Sequence, residues 1–301
     1  MKYTFDNKVE FYITNVCNLT CNNCNRFNNH RFTGWQRWSD YADTYRQWSN
    51  YIELKNIVLL GGEPLLNPTI NDWVIGLSET FESGIQILSN GLRLNQTRDL
   101  YEALSEASKI TGHGAHIGIS LHNTNHFEQI RSGILEFLGD ITEEYGHSTG
   151  DIRNNGIYYS AKDRNNVLVN VYLSNTFSSS AVIARPDGTY TLHRSDAETA
   201  HNGCGFVRYK CYHFIRGKIY KCGPVALMPE FDQQFGLDIT EQEREILNSY
   251  RPMTVDAWPE SGQQWIAELD NPIAQCRFCP EPKDANQQII FPVVKSSYTD
   301  F

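Results

Sequence analysis

A chain of 301 residues, 40% of them hydrophobic, can bury a sizeable core in one large domain or one and a half. Its net charge of -9 argues against nucleic acid as the main partner, because phosphate affinity comes largely from clustered Lys and Arg. No apolar run approaches about 18 residues, and Met1-Lys2-Tyr3-Thr4-Phe5-Asp6 lacks the apolar stretch of a signal peptide. The expectations are no membrane partner, a cytoplasmic location, and eight cysteines used for metal rather than disulfides.

In chain order, residues 9–14 are β-rich and read as the first strand. They run into Cys17-Asn18-Leu19-Thr20-Cys21-Asn22-Asn23-Cys24, three thiols at the spacing C-x3-C-x2-C on the loop that leaves the strand. Thiolates are soft ligands suited to iron–sulfur clusters and zinc. A cubane held by three cysteines keeps one iron open. Ser39 and Asp40 are placed to cap a helix running to about Tyr51, whose Tyr41, Tyr45 and Trp48 read as core packing rather than a base-stacking platform. A second strand, residues 56–60, leads into Gly61-Gly62-Glu63-Pro64, where two glycines free the backbone to approach a ligand and a carboxylate follows. Pro68 and Thr69 open a helix through Trp73, Leu77 and Phe81. The third strand, residues 85–88, ends in Ser89-Asn90-Gly91, a plain turn or a ligand contact. A helix with Leu100, Leu104 and Ala107 precedes a fourth strand, residues 116–122, closing on Ser120 and His122. A histidine there is as often structural as functional. Phe127, Ile130, Ile134 and Phe137 mark the next helix. Residues 145–166, rich in Gly, Asn and Asp, read as a long loop, and residues 167–173 as a fifth strand. Pro186-Asp187-Gly188-Thr189 reads as a turn between two short strands; no sixth barrel strand is evident.

Strand and helix alternate with connections long enough for right-handed crossovers, so the fold class is α/β with a parallel sheet or barrel. In such barrels chemistry gathers on the loops after the strands, where the cysteines, Gly61-Gly62-Glu63, Asn90 and Ser120 all fall. Together the three-cysteine and Gly-Gly-Glu-Pro motifs resemble the radical S-adenosylmethionine (SAM) superfamily. The resemblance implies a partial (β/α)6 barrel and a 4Fe–4S cluster on Cys17, Cys21 and Cys24, its open iron chelated by the methionine end of SAM. It implies Gly61, Gly62 and Glu63 at the SAM amino group. Ser120 and Asn90 match positions that contact the SAM amino acid or ribose. Asn23 stands where many members carry an aromatic residue beside the adenine.

Five cysteines remain, Cys204, Cys211, Cys222, Cys276 and Cys279. Arg216-Gly217 reads as a two-residue hairpin turn. Folding there pairs Ile215 with Lys218 and, by the same count, Cys211 with Cys222, near enough to share a metal. With the clip Cys276-Arg277-Phe278-Cys279 this makes four thiolates, which zinc or an iron–sulfur cluster would use alike. The residues from Gly217 to Cys222 and the distant clip resemble the Twitch domain, the short form of the SPASM extension, which implies a second 4Fe–4S cluster. Cys204 also fits that family's spacing for the first auxiliary ligand. Hairpin geometry favours Cys211, leaving Cys204 an inert thiol or a hydrogen-atom donor. The expected division is a core barrel over residues 1–195 and an auxiliary domain with a tail over 196–301. Glu241, Glu243 and Glu245 on a helix over 240–250 read as a solvated face. Residues 287–301 are an extra strand, a cavity plug or a tail.

The functional expectation is an enzyme that reductively cleaves SAM to a 5′-deoxyadenosyl radical and takes a hydrogen atom from substrate, with flavodoxin or ferredoxin as electron donor. The expected substrate is a ribosomally made peptide. A first strand beginning by about Val9 leaves no room for an N-terminal winged-helix peptide-recognition element, which keeps a small-molecule dehydrogenase or epimerase, acting on a sugar or nucleotide, as the alternative. From another class, a non-catalytic zinc-stapled binding protein would use the same cysteines.

Overall fold

The computed structural model describes residues 2–146, 157–284 and 288–289. β1 (Tyr3–Tyr12), α1 (Trp38–Trp48), β2 (Ile52–Leu60), α2 (Ile70–Phe81), β3 (Ile85–Ser89), α3 (Arg98–Thr111), β4 (His116–Leu121) and α4 (Phe127–Leu138) alternate as expected. Parallel strands covered on both faces read as near-continuous apolar runs, and Ile57, Val58 and Leu59 are wholly buried. α1 takes Arg37 as its N-cap, so Ser39 and Asp40 fall inside its first turn instead of capping it.

The chain then leaves the simple alternation. β5 (Ile141–Gly146) and β6 (Ile157–Asp163) pair antiparallel, and β6 runs antiparallel to β7 (Leu168–Leu173), which lies parallel beside β4. The long loop expected over 145–166 is therefore corrected. β6 alternates, with Tyr159, Ala161 and Asp163 buried and the residues between them half-buried; residues 147–156 lie outside the described residues. β8 (Thr176–Phe177) follows, then β9 (Val182–Ala184) and β10 (Tyr190–Leu192), paired about the expected turn.

Past α5 (Ala197–Asn202) and α6 (Gly205–Arg208), β11 (Tyr212–Ile215) and β12 (Lys218–Tyr220) form the hairpin, with Ile215 opposite Lys218 as counted. Arg216 and Gly217 both have positive φ, 50° and 72°, as a two-residue turn of matching twist requires. β11 also pairs parallel with β1, in the register Val9 to Tyr212, Glu10 to His213 and Phe11 to Phe214. The sixth parallel strand is thus the first arm of the hairpin, on the far side of β1. The sheet order is β12-β11-β1-β2-β3-β4-β7-β6-β5, an open partial barrel whose six parallel strands are flanked by antiparallel ones. The two divisions expected along the chain share this one sheet.

The aromatic stripe of α1 packs in the core as expected, and it also fixes the hairpin. The Trp48 indole donates to the Gly217 carbonyl (2.8 Å), the Gly217 N–H donates to the Tyr45 hydroxyl (3.2 Å), and the Arg216 N–H donates to Gln36 Oε1 (2.9 Å). α7 (Gly223–Phe235), α8 (Glu241–Ser249) and α9 (Trp258–Glu268) follow. β13 (Gln288–Ile289) pairs with β8, and the rest of the 287–301 segment lies outside the described residues. Among the described residues no helix is long and apolar enough to cross a membrane.

Glu243 departs from the solvated face read for α8. It is buried, closes a capping box with Thr240 and receives two hydrogen bonds from Arg194. The Arg194 bonds and the Thr240 N–H hold its carboxyl at about 2, against an ordinary 4.5. The native state therefore binds this proton less well than the unfolded chain, so the stabilisation is full above 4.5 and is lost as pH falls towards 2. Glu243→Gln should cost about 1 kcal/mol at neutral pH in urea unfolding. The gap to wild type should close through that acid window; a gap constant with pH would contradict this.

Candidate functional site

Two loops interlock at the carboxyl ends of β1 and β2. The Gly62 N–H donates to the Thr14 carbonyl (2.7 Å) and the Glu63 N–H to the Val16 carbonyl (2.8 Å). A β-carbon on Gly61 would stand 2.4 Å from the Thr14 oxygen, and one on Gly62 2.3 Å from the Val16 oxygen and 2.9 Å from Cys17 Cβ. The close approach expected of these glycines is made first to the chain's own cysteine loop.

Glu63 then ties this pair of loops to β3. Its Oε1 accepts from the Leu65 N–H (3.1 Å) and the Ser89 hydroxyl (2.7 Å), and its Oε2 from the Asn90 N–H (2.7 Å). Burial pushes its carboxyl up to about 7, against those hydrogen bonds and the charge of Arg93. Asn90 reaches back through its amide to Asn18 Oδ1 (2.5 Å) inside the cysteine loop. The 89–91 segment is therefore more than a plain turn. Ser120 stands half-buried near the end of β4, in register with Tyr172; Ile117, Ile119 and Leu121 pack towards the helices, so Ser120 faces the barrel interior. His122 has a structural partner, its Nδ1 lying 2.7 Å from the Ser174 carbonyl.

Cys17, Cys21 and Cys24 are free thiols within electrostatic reach of one another. The Leu19 N–H donates to Cys17 Sγ (3.4 Å), the kind of contact that steadies a metal thiolate. Phe177 packs on Leu19 and Cys21, and the Ser180 hydroxyl donates to the Cys24 carbonyl (3.4 Å), so the segment around β8 covers the loop. Burial, and next the Glu63 charge, push the Cys17 thiol well above its ordinary range. Among the described residues no three His, Cys, Asp or Glu side chains stand at metal-binding distance. The donor set, three uncrosslinked soft ligands on one short loop with an N–H aimed at sulfur, fits an iron–sulfur cluster.

The later cysteines gather differently from the hairpin count. Cys204, Cys222, Cys276 and Cys279 line one cavity together with Lys221 and His201. Burial pushes the Cys222 thiol up to about 12, with Cys204 and Cys276 adding to it, and raises Cys276 and Cys279 as well. Cys211 is not on this cavity. β12 ends at Tyr220, so pairing stops short of Cys222. Lys210 has φ 49°, and the Cys211 N–H closes the α6 turn onto the Phe206 carbonyl (3.0 Å). Cys211 lines a second cavity of about 400 Å³, with Asn23 and Asn25 of the first cysteine loop, Phe177 and Tyr209; Cys204 and Cys279 border both cavities. Cys204, and not Cys211, thus lines a cavity with Cys222, Cys276 and Cys279.

A polar group that the sequence reading missed joins the two regions. Glu10 and His213, register partners on β1 and β11, meet in a buried contact, and Arg26 Nη2 donates to Glu10 Oε2 (2.5 Å). Burial would raise the Glu10 carboxyl, but His213 and Arg26 outweigh it and hold it at about 2. The Arg26 guanidinium also lies 5.1 Å over the Phe206 ring. The one sequence signal was a charged residue, Glu10, inside an apolar strand.

Residues 11–155 match the model of the radical SAM superfamily. This stretch is a radical SAM domain. Among solved structures the chain is similar to Streptococcus suis SuiB bound to S-adenosylmethionine, at 14% identity and TM-score 0.37 over 90% of this chain and 67% of that one. It is also similar to SuiB bound to the precursor peptide SuiA, at 15% identity and TM-score 0.27 over 44% of this chain; here it spans only 37% of the other chain. Both likenesses are distant, and membership of the domain rests on the family match. No curated protein matches the chain.

The loop interlock makes a steric prediction. Gly62→Ala should cost about 1–3 kcal/mol in urea unfolding by overpacking. Gly146→Ala, where a β-carbon meets nothing within 4 Å among the described residues, serves as the control and should change stability far less. Equal effects would contradict the interlock.

Proposed function

We propose that this chain is a radical SAM enzyme carrying two iron–sulfur clusters. The observation that carries the reading is the interlock of the Cys17, Cys21 and Cys24 loop with Gly61-Gly62-Glu63, inside the stretch that matches the radical SAM model. Those three cysteines would hold a 4Fe–4S cluster. With SAM bound, that group supplies the electron that yields methionine and a 5′-deoxyadenosyl radical able to remove a hydrogen atom from substrate. The backbone of Gly61 and Gly62 and the Glu63 carboxylate offer acceptors for the methionine amino group. Ser89, Asn90 and Leu65 fix that carboxylate in one orientation. Asn90 sets the cysteine loop through Asn18, Ser120 offers a hydroxyl to the SAM amino acid or ribose, and Phe177 of β8 packs on the loop at Leu19 and Cys21.

For the second cluster we take Cys204, Cys222, Cys276 and Cys279 as ligands, in a Twitch-like arrangement. The cavity between the two cysteine sets is the substrate space on this reading. Among the described residues lining it none is Lys, Arg, Asp or Glu. A nucleotide or phosphorylated sugar would bring charge into a wall with no counter-charge, so an uncharged peptide segment is favoured, with a small neutral molecule as the second reading. Flavodoxin or ferredoxin would serve as electron donor.

Iron and acid-labile sulfide after anaerobic reconstitution test the cluster assignment. Wild type should hold about eight of each, as two cubanes require. Cys204→Ala should lose roughly half and Cys211→Ala essentially none. Iron loss in Cys211→Ala alone would restore the hairpin pairing, and zinc in place of half the iron would reject the second cluster. A peptide screen scored by 5′-deoxyadenosine release above the substrate-free rate tests the substrate; release only with neutral small molecules would overturn the peptide reading.

A further inference from the structure

We propose that Lys221 is the charge-compensating residue of the four-cysteine site and raises the reduction potential of the iron–sulfur cluster held there; this rests on the two-cluster reading above. Lys221 follows β12 and precedes Cys222, and it lines the same cavity as Cys204, Cys222, Cys276 and Cys279. Among the described residues it is the most buried lysine, 5% exposed. Its backbone N–H donates to the Tyr250 hydroxyl (3.0 Å), which sets the strand end. Its ammonium donates to the Asn271 carbonyl and lies 3.2 Å from His201 Nε2. His201 is itself buried.

Both of those Lys221 partners are neutral acceptors. Among the described residues no carboxylate forms an ion pair with Lys221; Asp270, which borders the cavity, is taken by Lys210 at 3.2 Å. A buried ammonium without a counter-charge is costly. Facing it are the thiols of Cys276, Cys222 and Cys204, which become thiolates when they bind metal, and more weakly the Asp270 carboxylate that Lys210 already pairs. A cluster held by four thiolates is anionic and gains a further negative charge on reduction. A fixed cation beside it favours the reduced form, because net charge and hydrogen bonds to the sulfurs set cluster potentials. His201 and Asn271 hold the ammonium in place without neutralising it.

The test uses the full chain with Cys17, Cys21 and Cys24 replaced by Ala, so that only the second cluster contributes. Reductive titration followed by electron paramagnetic resonance compares Lys221 with Lys221→Met, Lys221→Gln and Lys221→Arg. At a fixed solution potential, Met and Gln should lower the ratio of reduced to oxidised cluster about tenfold, a shift of about 59 mV to more negative potential for a one-electron couple. Arg should stay near wild type. Full iron with an unmoved potential in Met and Gln would overturn the proposal. If neutral variants fail to assemble the cluster while Arg assembles it, the requirement for charge stands; if all three fail, the role is packing and the proposal falls. A parent protein holding zinc instead of iron would instead reject the two-cluster reading itself.

Discussion

The parallel pairing of β11 with β1 is the constraint on which the rest of the arrangement depends. It carries residues from the last hundred of the chain to the strand that feeds the first cysteine loop, with Glu10 opposite His213. Arg26, two residues beyond Cys24, anchors on Glu10 and lies over Phe206, two residues beyond Cys204. One buried carboxylate thus fixes both cysteine regions to the same stretch of sheet. Removing a single partner of such a buried pair typically costs about 3–5 kcal/mol, because a charge is stranded. The hairpin turn is held from the other side by Tyr45, Trp48 and Gln36, so β11 has little freedom to leave β1.

A second buried carboxylate organises the opposite side of the first cysteine loop. Glu63 is held by two backbone N–H groups and a hydroxyl. That difference shows in the two acids. Fixed charges keep Glu10 ionised at about 2, whereas burial lifts Glu63 to about 7. A bound ammonium would favour ionisation of Glu63, as the proposed contact with the SAM amino group requires.

The parallel strands were legible because burial on both faces leaves apolar runs between turn residues, and the cysteine spacing with Gly61-Gly62-Glu63 was legible because each motif is local. The interlock of those motifs was not, since it depends on which backbone Gly62 approaches. β6 was hidden by its Asn- and Gly-rich surroundings and by its place near the sheet edge, where half-buried residues such as Ser160 and Lys162 are tolerated. β11 is four residues long and was read only as a hairpin arm, because nothing in Tyr212–Ile215 names β1 as its neighbour. Counting from the hairpin turn gave Cys211 as the partner of Cys222; the positive φ at Lys210 and the early end of β12 break that count. Glu243 looked solvated because charge alone does not reveal a capping box with an arginine behind it.

The central claim is that Cys17, Cys21 and Cys24 hold the centre that cleaves SAM. The most direct measurement is methionine and 5′-deoxyadenosine formed when the anaerobically reconstituted chain is given SAM and a strong one-electron reductant. Wild type should form the two in equal amounts, and the variant with all three cysteines replaced by Ala should form neither while keeping the absorbance of its second cluster. Equal cleavage by that variant, or none by a wild-type chain carrying its full iron, would contradict the account.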